Sequence, residues 1–443
     1  MFNNRFDVML ERQSMLLFFI PFSERSDSIM KIVYSICCGV DVHKRMLVAT
    51  IASTDSNNIT SYTTETFATS NSELERFRLW LLNHHCYHVC MESTGKYWIP
   101  VFNILENHLH VILTHPKYVR TIKGKKTDKK DSKWIADLFK FDMVRNSFIP
   151  PADIRALREI ARYRFKLVCM RSSERNRFQN AMTVSNISLA NILSDPFGKT
   201  STMIMDYVLS SDAFNEEYCR NLIQKSAKKK ADLIIDSLNG FKIQSDQHFK
   251  MKAAKNHMKY LDQNIVATEA ELFTRIQPYY HLVKHLSEIP GITELSAALI
   301  LAEIGVDMKV FDDAKHLTSW AGLTPANNES AGKKKSVRIS KAGQYLKPLL
   351  VQCALAATKS TKDIYFARKY LKLKKRRGHK KAIIAIARMM LVCIYHMLLT
   401  GETFNPSDYE ELQNPKPAHQ EMTVANALDF LEAQGFDISK LVV

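Results

Sequence analysis

The stretch "MKIVYSICCGVDVHKRMLVATIAS", residues 30–53, decides the fold class of the first part of the chain. Its β-branched and apolar runs predict two strands joined by a turn. A third strand, "TSYTTETFAT", is predicted from about Thr60. The residues before Met30 have no clear hydrophobic period, so we interpret residues 1–29 as an N-terminal extension and Met30 as a candidate initiator.

Helices and strands alternate after these three strands. A polar cap followed by apolar residues at helical spacing predicts a helix in "NSELERFRLWLLNHH". The strand "YHVCME", the helix "KYWIPVFNILENH", the strand "VILT" and a basic helix beginning near Asp128 follow in that order. This order predicts a ribonuclease H-like α/β domain with a mixed sheet over residues 30–150. The segment "IPPAD", residues 149–153, marks its boundary.

The rest of the chain is predicted to be helical, so the fold class is α/β plus α. Two long charged segments, Leu157–Met182 and His248–Ile276, have apolar residues at helical spacing and predict long helices in a coiled-coil region, residues 151–285. Residues 286–400 are predicted to form a mostly helical C-terminal domain that begins with a helix-hairpin-helix-like segment, "LSEIPGITELSAALILAEIG". An ordinary helical hairpin remains the alternative for that segment. Residues 401–443 form an acidic tail.

Composition indicates a globular protein with a polyanionic partner. The 443 residues are 46% hydrophobic, and 62 Lys and Arg against 45 Asp and Glu leave a net charge of +17. Such a surplus attracts nucleic acid by long-range steering and by counterion release. The eight scattered cysteines and the lack of a recognisable secretory leader predict a reducing cytoplasm. The apolar run Met15–Phe22 is too short to span a bilayer, so no membrane association is predicted.

Basic residues are concentrated in a few segments. Residues 117–133 contain eight basic and two acidic residues, and the polybasic run "KLKKRRGHKK", residues 372–381, contains no acid. We predict that these segments bind phosphate groups. The predicted contacts are Lys125, Lys126, Lys129, Lys130, Lys333, Lys334, Lys335, Lys374, Lys375, Arg376 and Arg377.

Two aspartates, Asp128 and Asp131, stand inside the first basic segment. Three residues apart on a helix, they share one face, and a solvated face with local ion pairs is the simplest interpretation. The alternative is a metal site, because neighbouring carboxylates repel until a divalent cation such as Mg²⁺ neutralises them. Asp41 lies on the first strand among apolar residues, and Glu92 ends the strand "YHVCME", so both could complete that site. One or two Mg²⁺ ions held there would support phosphodiester chemistry.

Several motifs, in order, resemble one protein family. The segments "GVDVHK", "MESTGKYW", "KTDKKDSKWIADL", "IPGITELSAALILAEIG" and "WAGLTPANNESAGKKKSVRISKAG" are similar to those of bacterial insertion-sequence transposases of the 110 group. These are DEDD transposases with a RuvC-like domain. The resemblance extends over roughly residues 30–400.

The resemblance implies a specific activity. Members of the family are DNA recombinases that join donor and target DNA through a guide, or bridge, RNA. By this resemblance Asp41, Glu92, Asp128 and Asp131 would be the metal ligands and Ser330 the nucleophile of a 5′-phosphoserine intermediate. It also implies a homo-oligomer, a dimer or tetramer, in which the serine and the metal site come together. A bacterial protein of this kind would be associated with the nucleoid when it acts.

The assignment of Ser330 departs from the family pattern in part. The family has a Ser-Ser-Gly-Gly-Lys type of stretch, whereas "ESAGK" keeps Ser330, Gly332 and Lys333 but has Glu329 and Ala331. Two other serines are near: one lies in the strand-like "KSVRI", and Ser340 reads as a helix cap.

Two other functions fit the same residues. One is a metal-dependent endonuclease, similar to a Holliday-junction resolvase, that uses water and forms no covalent intermediate. The other is an inactive nucleic-acid-binding protein, against which the intact acidic set argues.

Overall fold

The computed structural model describes residues 31–93, 95–116, 119, 127–144, 146–211, 214–325 and 338–413, the backbone of 328–330 and 333–336, and a few positions between 427 and 434. The chain divides into two compact units, Met1–Ile149 and Pro150–Val443. The first contains a mixed sheet, and the described part of the second is mostly helical, which confirms the predicted α/β plus α class. The predicted finer division of the second unit at residue 285 stays a prediction.

The first unit is built on a five-stranded sheet with the order β3-β2-β1-β4-β5. The first three strands form an antiparallel meander, and β4 and β5 then add in parallel beside β1. The mixed sheet predicted from the order of elements is therefore confirmed. The strands are β1 (Ile36–Val42), β2 (Met46–Thr54), β3 (Thr60–Ala68), β4 (His88–Glu92) and β5 (His110–Thr114).

Helices cover both faces of this sheet. One face packs against α1 (Asn71–Asn83) and α2 (Trp98–Leu105), whose apolar sides join the largest core cluster of this unit. The other face packs against α3 (Asp128–Lys140) through Ile135, Ala136 and Phe139. Burial of the Ile135 and Phe139 side chains contributes about 1.5–3 kcal/mol each, which holds α3 against the sheet.

The second unit begins with two long helices that match the two predicted segments. Arg164 pairs with Glu269, and Arg171 pairs with Asp262. Residue numbers therefore increase along one helix while they decrease along the other. The two helices therefore form an antiparallel pair within one chain. The helices up to this point are α4 (Ala152–Val184), α5 (Leu189–Ile192), α6 (Lys199–Ser210), α7 (Glu216–Leu222), α8 (Ala231–Asp236) and α9 (Ser245–Arg275).

The C-terminal part of the second unit contains two helices joined by a tight turn at the predicted place, and their assignment as a helix-hairpin-helix rather than an ordinary hairpin stays a prediction. The tight turn includes Gly291, whose φ is +87°, and a Cβ there would lie 2.5 Å from the Cys353 carbonyl oxygen of α13. The turn is thus packed against another helix of the same unit. The helices of this part are α10 (Tyr280–Ser287), α11 (Glu294–Ile304), α12 (Ala314–Trp320), α13 (Leu346–Ala357), α14 (Tyr365–Arg377), α15 (His379–Thr400) and α16 (Tyr409–Gln413).

A buried ion pair ties α4 to α11. The Arg162 guanidinium donates two hydrogen bonds, of 2.8 and 2.9 Å, to the two carboxylate oxygens of Glu303, which is 5% exposed. Arg158 donates to the backbone carbonyl of the same glutamate. Burial lowers the pKa of Arg158 to about 10. This shift reflects the free energy needed to remove the charged Arg158 guanidinium from water.

Helix α15 is, within the described residues, long and apolar enough to cross a membrane by length and composition. Half of its most apolar window is buried inside the unit, where the helix contacts α12, α13 and α14. The core helix of a folded domain has the same properties, so this feature is weak evidence for a membrane span.

Part of the acidic tail is folded onto the second unit. The Asp408 carboxylate accepts a hydrogen bond of 2.8 Å from the Tyr365 hydroxyl and an ion pair from Lys369, both on α14. The Phe404 ring contacts those of Tyr365 and Phe366. Residues 402–413 are therefore docked on α14.

Candidate functional site

The residues of β1 alternate between the two faces of the sheet. Cys38, Val40 and Val42 join the core on the side of α1 and α2, whereas Cys37 joins the core on the side of α3. The period of two places Asp41 on the α3 face. The Asp41 carboxylate therefore lies on the same side of the sheet as α3, the helix that contains Asp128 and Asp131.

Gly39 allows α3 to lie directly on β1. A Cβ at Gly39 would be 2.3 Å from both the Ala136 nitrogen and the Ser132 carbonyl oxygen. Because no real Cβ approaches backbone atoms so closely, the position requires glycine at this helix-to-strand distance. The close approach brings the first turn of α3 to the level of Asp41, two residues along the strand.

Polar contacts fix the start and rotation of α3. The Thr127 side chain caps the helix by accepting a hydrogen bond from the Lys130 backbone nitrogen. The buried Ser132 hydroxyl lies 2.7 Å from the Thr50 hydroxyl of β2. These contacts leave Asp128 and Asp131 half-buried in the first turn, on the side of the sheet where Asp41 lies.

The pKa of Asp41 is affected by the other three acidic residues. Burial raises the pKa of the Asp41 carboxyl above its ordinary value. The nearby His43 opposes this increase, and the carboxylates of Glu92, Asp128 and Asp131 add to it. Of the four acidic residues named from the sequence, Asp41 and Asp128 have carboxylate oxygens within 4.8 Å of each other, and Glu92 and Asp131 are near enough to affect the pKa of Asp41. Clustered, partly desolvated carboxylates are the environment that a divalent cation stabilises.

His43 is a further residue of this site that the sequence interpretation did not assign. Its Nε2 atom lies 3.2 Å from Asp41 Oδ2 and 3.5 Å from Asp128 Oδ1. Ligand atoms of these three side chains lie within 4.8 Å of one another, close enough to hold one metal ion. The motif "GVDVHK" could have indicated this, because Asp41 and His43 are two residues apart and such residues of an extended segment share a face.

An open pocket of about 490 Å³ adjoins the acidic residues. Its lining includes His43 and Asp128 from the site, Lys44 and Arg45 from the turn between β1 and β2, and Tyr97. The side chain of Tyr97 is exposed. The pocket therefore offers two cations and an aromatic ring beside the carboxylates, a combination suited to a nucleic-acid strand.

The predicted nucleophile lies in a hairpin of the second unit. The backbone of Ser330 ends a strand, Asn328–Ser330, that pairs antiparallel with Lys333–Ser336, and Ser330 is opposite Lys333. The side chains of this hairpin lie outside the described part of the structure, those of Lys333, Lys334 and Lys335 included. The role of Ser330 stays a prediction.

Ser340 is not a helix cap, contrary to the sequence interpretation. Helix α13 begins at Leu346 with Tyr345 at the cap position. The Ser340 hydroxyl instead accepts a hydrogen bond from the Ala342 backbone nitrogen, within a turn ahead of the helix. Gly343 lies between Ser340 and the helix start, has a φ of +69° and packs against the Ala321 backbone. This left-handed conformation is not helical, so α13 begins after Gly343.

Besides Lys333, Lys334 and Lys335 of the hairpin, the predicted phosphate-binding residues fall into three groups. Lys129 and Lys130 are exposed on the first turn of α3, beside the acidic site. Lys125 and Lys126 lie outside the described residues. The polybasic run extends from the end of α14 to the start of α15, and its four predicted contacts are exposed in the last turn of α14: Lys374, Lys375, Arg376 and Arg377.

Family models match the chain in two places. Residues 38–187 match a transposase model of the DEDD, IS110 type, and residues 283–371 match a model described as the transposase IS116/IS110/IS902 family. The first range contains all four acidic residues of the site, and the second contains Ser330.

The chain is also similar to individual proteins of insertion elements and to a gene-inverting protein. An uncharacterized 42 kDa protein of insertion element IS900 from Mycobacterium paratuberculosis is 31% identical over 33% of this chain, and the match spans only 37% of that protein's length. A transposase for insertion sequence element IS1111A from Coxiella burnetii is 25% identical over 71% of this chain and 79% of its own length. A pilin gene-inverting protein from Moraxella bovis is 23% identical over 78% of this chain and 91% of its own length. The two ordered family matches, together with these relatives, show that the chain belongs to the IS110 family of transposases.

Proposed function

We propose that this protein is a DNA transposase and recombinase that cleaves and exchanges strands through a metal site and a serine nucleophile. The observation that carries the proposal is the meeting of Asp41 from β1 with Asp128 from α3, whose ligand atoms lie within 4.8 Å of each other, while Glu92 and Asp131 are near enough to raise the pKa of Asp41. A solvated helix face accounts less well for this arrangement, because Asp41 is only 8% exposed and its pKa is raised by burial.

The donor set fits a divalent cation, for which we propose Mg²⁺. The carboxylate oxygens are ligands of the type that Mg²⁺ prefers, and Asp41 and Asp128 already have ligand atoms close enough to share one ion. When bound, such a cation would neutralise charge that develops on the attacking and leaving oxygens. Lys129 and Lys130 would hold the phosphate backbone next to the carboxylates.

The serine step is proposed from the family and from the place of Ser330 at the end of its hairpin strand. The Ser330 oxygen would form a bond to the phosphorus of the scissile phosphodiester, and its proton would pass to solvent or to a basic group. The bond from phosphorus to the 3′ oxygen would break, and the leaving 3′ oxygen would take up a proton from solvent or from a protonated side chain. The products would be a free 3′ hydroxyl and a DNA 5′ end attached to the serine.

The partners follow from the same proposal. Donor and target DNA would be selected by pairing with a bridge RNA, and the exposed basic residues at the end of α14 would contact phosphates of either nucleic acid. The protein would act in the bacterial cytoplasm at the nucleoid, as a homo-oligomer. The relative from Moraxella bovis is a pilin gene-inverting protein, and this similarity favours strand exchange over simple cleavage.

A covalent trap tests this function. Wild-type protein would be incubated with its guide RNA, Mg²⁺ and a nicked suicide DNA substrate, and denaturing electrophoresis would detect protein joined to a DNA end. We expect an adduct that maps to the peptide containing Ser330, and we expect Ser330→Ala to lose the adduct and recombination while it retains RNA and DNA binding. Ser340→Ala is the matched control and should keep both reactions, because its hydroxyl only supports a local turn.

The same experiment separates the alternatives. Cleavage without any adduct, unchanged in Ser330→Ala, would favour the water-using endonuclease. Binding without cleavage under any condition would favour the inactive nucleic-acid-binding protein.

A further inference from the structure

The imidazole of His43 has an unusual environment beside the acidic residues. Its side chain is 44% exposed, yet the Nε2 atom is buried and makes no hydrogen bond of acceptable geometry. That atom is directed towards Asp41 Oδ2 and Asp128 Oδ1, at 3.2 and 3.5 Å. Nε2 thus lies within ion-pair distance of two carboxylates without a hydrogen bond to either, and this arrangement is accounted for if all three groups bind a common ion.

We infer that His43 is a nitrogen ligand of the metal site and that it makes the site favour transition ions such as Mn²⁺ over Mg²⁺. The inference rests on the proposed metal-dependent function. An imidazole nitrogen has a lone pair that transition ions accept, whereas Mg²⁺ binds oxygen ligands and keeps several waters. A site with carboxylates alone would have a weaker preference, because oxygen ligands suit both Mg²⁺ and Mn²⁺.

The geometry distinguishes a ligand from a counter-ion. A protonated imidazole that only neutralised Asp41 would point its N–H at the carboxylate, whereas the 3.2 Å contact between Nε2 and Asp41 Oδ2 is within ion-pair distance but lacks hydrogen-bond geometry. Three ligand atoms within 4.8 Å of one another instead surround a common point. The position of His43, just after β1, keeps the ring on the side of the sheet where Asp41 lies.

Pulsed electron paramagnetic resonance of Mn²⁺ bound to the full-length protein tests this inference without using activity. We expect the spin echo to show modulation from a coordinated nitrogen in the wild type, and we expect His43→Ala to abolish it. Titration should show Mn²⁺ affinity falling about tenfold in His43→Ala, with Mg²⁺ affinity changing less than about twofold. His108→Ala is the matched control, because His108 is an exposed histidine of the same unit outside the site.

The outcomes separate this inference from the proposed function. Wild-type protein that binds Mn²⁺ through the carboxylates, as shown by loss of binding in Asp128→Asn, but without nitrogen modulation would overturn the role of His43 and leave the metal site intact. Equal Mn²⁺ affinity in the wild type and His43→Ala would also overturn it. Mn²⁺ affinity that Asp128→Asn does not change would overturn both the metal site and the inference. Circular dichroism would confirm that each variant is folded.

Discussion

Gly39 of β1 and Ser132 of α3 are so close that a Cβ on the glycine would lie 2.3 Å from the serine carbonyl oxygen. This close packing sets the distance between the strand that carries Asp41 and the helix that carries Asp128 and Asp131. The geometry of the acidic site therefore depends on a residue that has no side chain and no chemical role.

Gly39→Ala should displace α3 and damage the site. The added methyl group must push backbone atoms apart, which we expect to cost about 1–3 kcal/mol of stability, and metal affinity should fall with it. Urea unfolding and Mn²⁺ titration would measure the two effects. In Gly198→Ala, the control, the new Cβ would be 3.3 Å or more from its neighbours, so metal affinity should not change. Wild-type metal affinity in Gly39→Ala would show that the close packing does not position the carboxylates.

Asp128→Asn should preserve the fold and most nucleic-acid binding, because the substitution keeps the shape of the side chain. It removes a charged ligand, so Mg²⁺-dependent cleavage should fall by at least the roughly 10–100-fold that loss of an outer-shell partner costs. Cleavage of labelled DNA would be measured against Asp137→Asn. Asp137 lies on the same helix, where its carboxylate accepts a hydrogen bond of 2.6 Å from the Tyr62 hydroxyl. Equal activity of the two variants would show that Asp128 is not a metal ligand and only belongs to a solvated helix face.

Asp41→Asn should make the metal-free protein more stable at neutral pH. Burial, followed by the neighbouring carboxylates, raises the pKa of Asp41 in the folded protein. The folded state therefore holds the proton more tightly than the unfolded chain, and stability falls as pH rises above the ordinary value of 3.8.

Removal of this charge should stabilise the protein by about 1 kcal/mol in the presence of a chelator, and the gain should shrink towards pH 4. Mg²⁺ should stabilise the wild type more than the variant. Thermal unfolding at several pH values, with and without Mg²⁺, would measure both effects. A metal-free variant less stable than the wild type at pH 7 would contradict the electrostatic argument.

Glu303→Ala should be among the more destabilising single changes in the second unit. It leaves the partly buried guanidinium of Arg162 without its two-point partner, and loss of one member of a buried pair costs about 3–5 kcal/mol. Glu271→Ala is the control, because its ion pair with Arg275 lies on the surface of α9 and should contribute about 0–1 kcal/mol. Chemical unfolding would measure the free energy of unfolding of both variants. Similar decreases would show that the buried pair contributes no more stability than the surface pair.

Neutralising Lys374, Lys375 and Arg377 together should weaken DNA and RNA binding across sequences and reduce the salt dependence of binding. For every phosphate that the variant no longer binds, the slope of log affinity against log salt should decrease by about 0.7–0.9. The control neutralises Lys228, Lys229 and Lys252, which are exposed elsewhere in the same unit and change the net charge equally. Equal effects of the two triple variants would mean that only net charge matters.

The sequence by itself determined the order of elements and the chemistry of the acidic set. Hydrophobic periods of two and of three to four residues are local properties, so the five strands and the long helices could be predicted from them. Asp41, Glu92, Asp128 and Asp131 could be named because a carboxylate within an apolar strand, or paired on a basic helix, is costly without a partner.

Only the tertiary structure decided which groups meet. The distance between Gly39 and α3, the contact of His43 Nε2 with Asp128 and the burial of Glu303 all depend on atoms far apart in the chain. The cap predicted at Ser340 was wrong because the helix start there is set by the packing of Gly343 against Ala321, which no local pattern encodes. Local preferences choose helix, strand or turn, whereas contact distances and desolvation arise when separate elements pack and decide which side chains share a site.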